Sequence, residues 1–148
     1  MIQELRNDAD EQMVQGVTRV NSLLEQIAEQ NQQVLINKNK GLGSAENEDL
    51  RDKAVKELAQ YIDITFFTRG DGAMVVQTKS GVQLADELPN TLWMEGTTLG
   101  TDKYYPTSAS GIFLGGDPDE NDSSFDLIPY NIGGKLGALA ELRDEILP

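Results

Sequence analysis

Apolar and polar residues alternate along the first forty residues with the period of an α-helix. From Val17 onward the apolar steps follow a heptad, and the polar Asn31 takes one of its seam positions. The spacing predicts one helix from near Met1 to near Ile36 that needs partners along its length. A buried amide at Asn31 would fix the register between helices, whereas on a broader face it would contact solvent. The stripe consists of Ile2, Leu5, Ala9, Met13, Val17, Val20, Leu24, Ile27, Asn31 and Val34.

The predicted first helix is long for a chain of this size. At about 1.5 Å per residue it extends roughly 50 Å. A compact globule of this chain length has a diameter of roughly 40 Å. We therefore expect an elongated, rod-like molecule.

Two further segments have helical spacing. Residues 37–47 are polar and contain glycine, which predicts a loop, and a helix from about Glu48 to Tyr61 follows with Ser44 or Asn47 as its cap. The last helix is predicted at 134–147, antiparallel to the first and covering part of it. The apolar stripes of these helices are Leu50, Ala54, Leu58 and Ile62, and Leu136, Leu139, Leu142 and Ile146.

The hydrophobic period changes to two after the second helix. Ile62, Ile64 and Phe66 alternate with polar residues, and strand-like runs at 74–78 and 81–85 follow short glycine turns, which predicts an antiparallel meander. Residues 89–134 predict more β-structure and long loops. The expected fold is α+β: a helical rod domain of residues 1–61 plus 134–148 carries an inserted antiparallel β domain of residues 62–133.

Composition excludes many kinds of chemistry. The 148 residues contain 25 Asp plus Glu, 12 Lys plus Arg, no Cys and no His, so the formal net charge is −13. Thiolate and imidazole nucleophiles or metal ligands are therefore absent. The acidic charge makes nucleic acid and anionic membrane surfaces poor partners. Residues 1–10 lack the apolar core of a secretory signal.

One acidic loop resembles a calcium site only in part. Asp117, Asp119 and Asn121 stand at alternate positions within 117–126, as calcium ligands do. Asp122 and Ile128 stand where a calcium loop needs Gly and Glu. We expect a solvated loop that binds a cation weakly at most.

Three glycine motifs have simple structural interpretations. Arg69-Gly70-Asp71-Gly72 contains an integrin-type tripeptide but lies where a hairpin turn is predicted. Gly41-Leu42-Gly43 and Gly133-Gly134-Lys135 lack the spacing and context of phosphate loops. We expect both to be joints between elements.

An enzymatic or carbohydrate-binding alternative stays open. A carboxylate pair could support glycoside hydrolysis, and Trp93, Tyr104 and Tyr105 could stack on a sugar in a concave pocket. The alternative function is therefore a carbohydrate-binding or carboxylate-dependent hydrolase module on a helical stalk. No feature marks a particular acid pair. We assign no catalytic, cofactor-binding or metal-binding residue and expect no enzyme and no cofactor.

Three segments, taken in order, resemble the flagellar hook-associated protein 1 family. They are LRNDADEQMVQGVTRVNSLLEQIAEQNQQV (5–34), EDLRDKAVKELAQYIDITFFTRGDGAMVVQTKSGVQLA (48–85) and GGKLGALAELRDEILP (133–148). Lys53-Ala54 departs from a repeated Arg-Asp that is common there, and 89–130 resembles no part of the family. Flagellin and the second junction protein share features of the first segment but are distinguished by the other two.

The resemblance implies a structural, non-enzymatic subunit at the junction of the flagellar hook and filament, with the β insert on the outer surface. It implies a secreted, extracellular protein that assembles with neighbouring copies, the hook protein and the second junction protein. In this family the terminal segments pack in the axial core, the N-terminal one carries the export signal, and the C-terminal one binds an export chaperone. We expect this chain to be a middle fragment without these segments, monomeric or weakly associating, with no nucleic acid or membrane partner.

Overall fold

Three helices and two small antiparallel sheets make up the described part of the chain. In the computed structural model this part comprises residues 2–96, 110–120, 124–130 and 132–146. The helices are α1 (Ile2–Asn39), α2 (Ala45–Tyr61) and α3 (Gly134–Glu141), and a π-helical turn at Leu142–Ile146 continues α3. The α+β class predicted from the sequence is confirmed.

The first helix buries the predicted heptad seam almost completely. At about 1.5 Å per residue, its 38 residues span about 57 Å. It continues three residues beyond the prediction, to Asn39. Gly41 follows in the turn after the helix, and its φ of +70° suits a residue without Cβ. The Leu42 amide donates to the Asn37 carbonyl at 2.7 Å, which closes the helix end. The seam residues at most 5% exposed are Val17, Val20, Leu24, Ile27, Asn31 and Val34.

Two predicted core positions are wrong. Leu5 and Leu50 are 49% and 47% exposed. Their neighbours Arg6 and Arg51 are buried instead, because each guanidinium finds hydrogen-bond acceptors inside the protein. At these two positions the buried side chain is therefore the one that follows the predicted residue, whereas the later positions of each predicted stripe are buried.

The second and third helices both run antiparallel to α1. Arg19 of α1 pairs with Glu57 of α2 at 2.7 Å, whereas Asn47, near the start of α2, bonds Gln30 much further along α1. α2 begins three residues before the predicted start. Ser44 occupies the cap position without a side-chain cap bond, and the other candidate cap, Asn47, lies inside the helix.

The last helix packs against the N-terminal half of α1. Leu136 lies against Gly16, and Arg143 contacts Asp10, so the two helices run in opposite directions as predicted. The residues facing the core are Leu136, Ala140 and Arg143, whereas Leu139 and Leu142 are only half-buried. The predicted leucine stripe is therefore correct only in part, and the Ile146 side chain lies outside the described residues.

The first sheet is the predicted meander, with β1 (Ile64–Thr68), β2 (Met74–Thr78) and β3 (Gln83–Ala85) in the order β1-β2-β3. β1 begins two residues later than predicted, because Ile62 still belongs to the end of α2: its backbone N–H donates a hydrogen bond to the Leu58 carbonyl. Phe66 is 56% exposed, so the predicted apolar face of β1 does not continue into the core.

The second sheet lies in the region predicted to hold β-structure and loops. Its strands are β4 (Leu92–Trp93), β5 (Phe113–Leu114) and β6 (Phe125–Asp126), in the order β4-β5-β6, and a 3₁₀ turn at Ile128–Tyr130 follows. Residues of this sheet and its flanks belong to the same buried cluster as the helices and the first sheet. The division into a rod domain and an inserted β domain stays a prediction.

Candidate functional site: polar clamps along the first helix

A buried amide on α1 holds the first sheet. Asn31 is 0% exposed, and its Nδ2 donates to the carbonyls of Met74 at 2.8 Å and Asp86 at 2.6 Å. Its Oδ1 accepts the Met74 amide at 2.8 Å. The carboxamide therefore bonds both backbone groups of Met74, as a neighbouring strand would. We call this arrangement the Asn31 clamp.

The sequence left two interpretations of Asn31 open, a register-fixing amide between helices and a solvent-facing side chain, and the Asn31 clamp matches neither completely. A solvent-facing Asn31 is wrong, because the side chain is fully buried. The predicted register role between helices is correct only in part, since Asn31 contacts α2 through Arg51 but makes its other three bonds to the backbone around the first sheet. A buried amide needs such partners, because unpaired polar groups are costly in the core.

Arg51 extends the Asn31 clamp to α2 and to the β1–β2 turn. Its Nη1 donates to Asn31 Oδ1 at 3.0 Å and to the Gly72 carbonyl at 2.8 Å. Arg51 is 3% exposed, and its Nε has no hydrogen-bond partner. Among the described residues no carboxylate pairs with it, so backbone and amide oxygens alone solvate this buried cation. Arg51 lies beside the predicted stripe of α2, so the periodicity gave no signal for its burial.

A second asparagine holds the second sheet in the same way. Asn21 Oδ1 accepts the amide of Leu92 at 2.6 Å, and its Nδ2 donates to the carbonyl of the same residue at 2.8 Å. We call this the Asn21 clamp. Asn21 and Asn31 lie ten residues apart on α1, so one helix carries an attachment point for each sheet. Asn21 lies beside the heptad seam, so the periodicity gave no signal for its role.

An arginine cluster joins the N-terminal end of α1 to the last turn. Arg143 is 0% exposed, and its guanidinium contacts Asp10 at 2.7 Å, Asp144 at 2.7 Å and the Ser110 carbonyl at 2.8 Å. Arg6 donates to the Arg143 carbonyl at 3.1 Å. Burial opposes the charge on Arg143, but attraction from Asp144 and Asp10 outweighs it and raises the pKa of Arg143. This is the Arg143 cluster.

The Gly133-Gly134 motif is a joint, as expected. Both glycines have positive φ, +65° and +60°. A Cβ at Gly134 would lie 2.6 Å from the Tyr61 carbonyl, and one at Gly133 would overlap the Asp63 carboxylate. Lys135 lies over the ring of Tyr61, with 5.7 Å from Nζ to the ring centroid. The motif therefore permits close contact between the start of α3 and the end of α2.

The tripeptide of residues 69–71 forms the predicted hairpin turn. The Arg69 guanidinium donates to both carboxylate oxygens of Asp71, at 3.1 and 2.8 Å, and lies 2.7 Å from Glu87. Hydrogen bonding from Arg69 lowers the pKa of Asp71. Gly72 supplies the positive φ, +95°. The charges of this turn are thus engaged within the chain itself.

The acidic loop uses its carboxylates for backbone contacts. Asp117 Oδ1 accepts the Asp119 amide at 2.9 Å, and Asp126 Oδ1 accepts the Ile128 amide at 3.0 Å. Within the described ranges no group of three or more acidic side chains is placed to hold a metal ion. The loop positions 121–123 lie outside those ranges, so cation binding there stays untested.

The candidate sugar-stacking residues are only partly described. Trp93 packs against Phe113, with 6.0 Å between the ring centroids and a tilted geometry. Tyr104 and Tyr105 lie outside the described residues. In the segments that the structure describes, no helix is long and apolar enough to cross a bilayer.

The clamps and the Arg143 cluster define the class of protein. Their polar atoms bond to the chain's own backbone or to ion-pair partners of the same chain, which fixes two sheets and two helices against α1. That is the arrangement of an α+β module built on one long helix.

The comparisons with known proteins give the family. Residues 1–148, the whole chain, match the family model described as "Flagellar hook-associated protein FlgK helical domain". The chain therefore belongs to this family. The match includes residues 89–130, which the sequence resemblance left unplaced.

A solved structure has the same fold. The chain superposes on the flagellar hook junction protein FlgK from Burkholderia pseudomallei with a TM-score of 0.75 and 23% sequence identity. The alignment covers 96% of this chain and 24% of the other, so this chain spans about a quarter of that protein's length. Among curated protein sequences there is no significant match.

Proposed function

We propose that this chain is a structural, non-catalytic part of a flagellar subunit located at the junction between hook and filament. The observation that carries the proposal is the family match over the whole chain, which makes it a flagellar hook-associated protein. The similarity in fold to a protein named as a hook junction protein supports the finer location.

The internal architecture supports a mechanical role. A subunit that joins two parts of a filament must transmit load without changing shape. Here a helix of 38 residues holds two sheets and two helices through fully or largely buried polar contacts. Since those contacts have fixed donors and acceptors, they specify one arrangement of the elements. Rigidity is therefore the property that the described residues contribute.

The proposal includes partners and location. We infer that copies of the subunit assemble with one another and with the hook protein and the second junction protein. We also infer that a flagellar export chaperone binds the subunit before export, and that the subunit is secreted and lies outside the cell. Acidic, exposed side chains on the helices favour solubility before assembly.

Localisation in the source bacterium tests the proposal. The full-length protein, carrying an epitope tag in an exposed loop, is labelled with gold on isolated flagella. We expect label confined to one band between hook and filament. Label spread along the filament would indicate a flagellin-like role, and label at the distal tip would indicate a cap; either result would overturn the junction assignment.

Deletion of the gene provides a second test. We expect hooks without attached filaments and loss of swimming, both restored by the wild-type gene. A deletion strain with normal filaments would contradict the proposal. Glycan binding or hydrolysis by the purified chain, lost on Trp93→Ala, would instead support the alternative function.

A further inference from the structure

Within the described residues, one side of the edge strand of the first sheet pairs with no other strand. The order β1-β2-β3 places β1 at the edge. The Arg69 amide donates to the Ala73 carbonyl at 2.8 Å, so Arg69 and Ala73 form a hydrogen-bonded pair next to the β1–β2 ladder. Because hydrogen-bonded pairs alternate along an antiparallel ladder, Thr65 and Phe67 bond towards β2. The amides and carbonyls of the other three strand residues, Ile64, Phe66 and Thr68, point away from the sheet.

This edge has no feature that blocks pairing. The strand sequence ITFFT contains no charge, no proline and no bulge, and such features are what natural edge strands use for protection. Phe66 and Phe67 project to opposite faces and are 56% and 51% exposed. The strand therefore presents backbone donors and acceptors flanked by two exposed phenyl rings.

Other described strand edges are shorter or covered. β3 has three residues, its ladder is irregular at Val76/Gln77, and its outer side is bridged by Pro89. The Asn90 amide also bonds the Leu84 carbonyl. The strands of the second sheet have two residues each. Among the described strands, β1 alone offers a free edge of five residues.

We propose that β1 pairs antiparallel with β1 of a second copy of this chain in solution, about a two-fold axis at Phe66. In this register all five residues of each strand overlap, and Phe66 faces Phe66 of the second copy. Ile64 faces Thr68, and Thr65 faces Phe67. No charged residue opposes another within the strand, and every outward amide and carbonyl gains a partner.

Charge complementarity favours this occupant. Asp63 and Arg69 bracket the strand, each three residues from Phe66 and on the same face as Phe67. In the two-fold register Asp63 of one copy lies opposite Arg69 of the other, twice per dimer. Arg69 bonds Asp71 and Glu87 of its own chain through Nε and Nη2, so Asp63 of the other copy would bond the remaining Nη1. Opposite charges across strands are stabilising, whereas like charges are destabilising. The ends of the two strands therefore attract each other, although the two chains as a whole carry like formal net charges of −13 each.

The pairing is weak and self-limiting. A five-residue strand is about 17 Å long, so the contact is smaller than the roughly 800 Å² per partner of stable interfaces. This agrees with the expectation of a monomeric or weakly associating chain. A two-fold contact also closes on itself and cannot propagate. It would therefore cover the edge in free subunits.

Amide NMR and sedimentation equilibrium test the pairing directly, between about 20 μM and about 1 mM chain. We expect concentration-dependent shifts confined to residues 63–69 and a monomer–dimer equilibrium. Phe66→Lys should raise the Kd at least about tenfold, because two ammonium groups would face each other. Leu88→Lys, at a site 68% exposed and off the strand, should leave the Kd unchanged. Circular dichroism verifies that both variants fold.

Cross-linking gives an independent measurement. The chain has no cysteine, and hydrogen-bonded antiparallel pairs have Cα atoms about 5.5 Å apart, within disulfide range. Phe66→Cys should therefore form a disulfide-linked dimer under mild oxidation, and Leu88→Cys should not. The proposal is overturned by a chain that stays monomeric at 1 mM, by association that survives Phe66→Lys, or by shifts that map elsewhere. Capture of a strand from a different flagellar protein in place of the second copy would also overturn it.

Discussion

Replacing Asn31 with leucine should strongly destabilise the protein, because the side chain is the shared centre of four hydrogen bonds. The Met74 amide and carbonyl and the Asp86 carbonyl would lose this partner inside the core. Each buried group left unpaired costs about 1–3 kcal/mol. Burial of the leucine side chain returns roughly 2 kcal/mol. Three such groups at a central value of about 2 kcal/mol each, less the return from leucine, lower the free energy of unfolding by about 4 kcal/mol. That is a large part of the roughly 5–15 kcal/mol of a typical domain.

Urea unfolding followed by circular dichroism at 222 nm measures this loss. Gln33→Leu is the matched control, since Gln33 lies two residues away on α1 and is exposed; it should change the free energy by less than about 0.5 kcal/mol. Arg51→Met and the double variant complete a cycle, which should give a coupling energy of at least about 1 kcal/mol. If Asn31→Leu is as stable as Gln33→Leu, the Asn31 clamp does not hold the first sheet.

Gly134→Ala should lower the free energy of unfolding by about 2 kcal/mol or more, because of the positive φ and the close carbonyl; urea unfolding measures it. Arg143→Met should lower it by about 3–5 kcal/mol, because it removes the buried guanidinium from two carboxylates; calorimetry measures it. Glu57→Gln should show a pH-dependent difference from wild type. Hydrogen bonding from Arg19 lowers the pKa of Glu57, so the pair stabilises the fold above the ordinary value of 4.5. That contribution is lost as the pH falls through the lowered pKa, and the two melting temperatures should converge there.

Each of these changes has a control on the same chain. Gly43→Ala adds a Cβ atom with nothing within 4 Å, so a loss equal to that of Gly134→Ala would argue against the close contact. Arg19→Met removes an exposed ion pair, so it should cost much less than Arg143→Met. A Glu57→Gln difference that stays constant from pH 7 down to pH 2 would show that ionisation of Glu57 contributes nothing.

Periodicity predicted the helices and the meander because those elements bury continuous apolar patterns. The heptad from Val17 correctly identified the buried seam of α1, and the run at 74–78 coincides with β2. Alternation alone could not predict that β1 lies at an edge, since an exposed and a buried strand share the same period. Phe66 was predicted on the apolar face of the strand, and it is exposed instead.

The buried charges were the hardest residues to predict. A charged side chain on a helix is ordinarily exposed, so Arg6, Asp10 and Arg51 were left outside the predicted core. Their partners are distant in sequence: Arg143 and Asp10 are 133 positions apart. Only the fold brings them together. Asn31 could be singled out because it interrupts an otherwise apolar heptad, but its attachment to a β-strand has no signal in the local sequence.

The antiparallel packing of α1 and α3 has a mechanical consequence. Residues 6 and 143 are hydrogen-bonded, so the N-terminal end of α1 and the turn that continues α3 lie side by side at one end of the helix pair. Tension applied through both helices would therefore peel them apart one turn after another and would not shear them along their full length. The Arg143 cluster lies at the point where that peeling begins, which makes its buried ion pairs the first bonds to rupture.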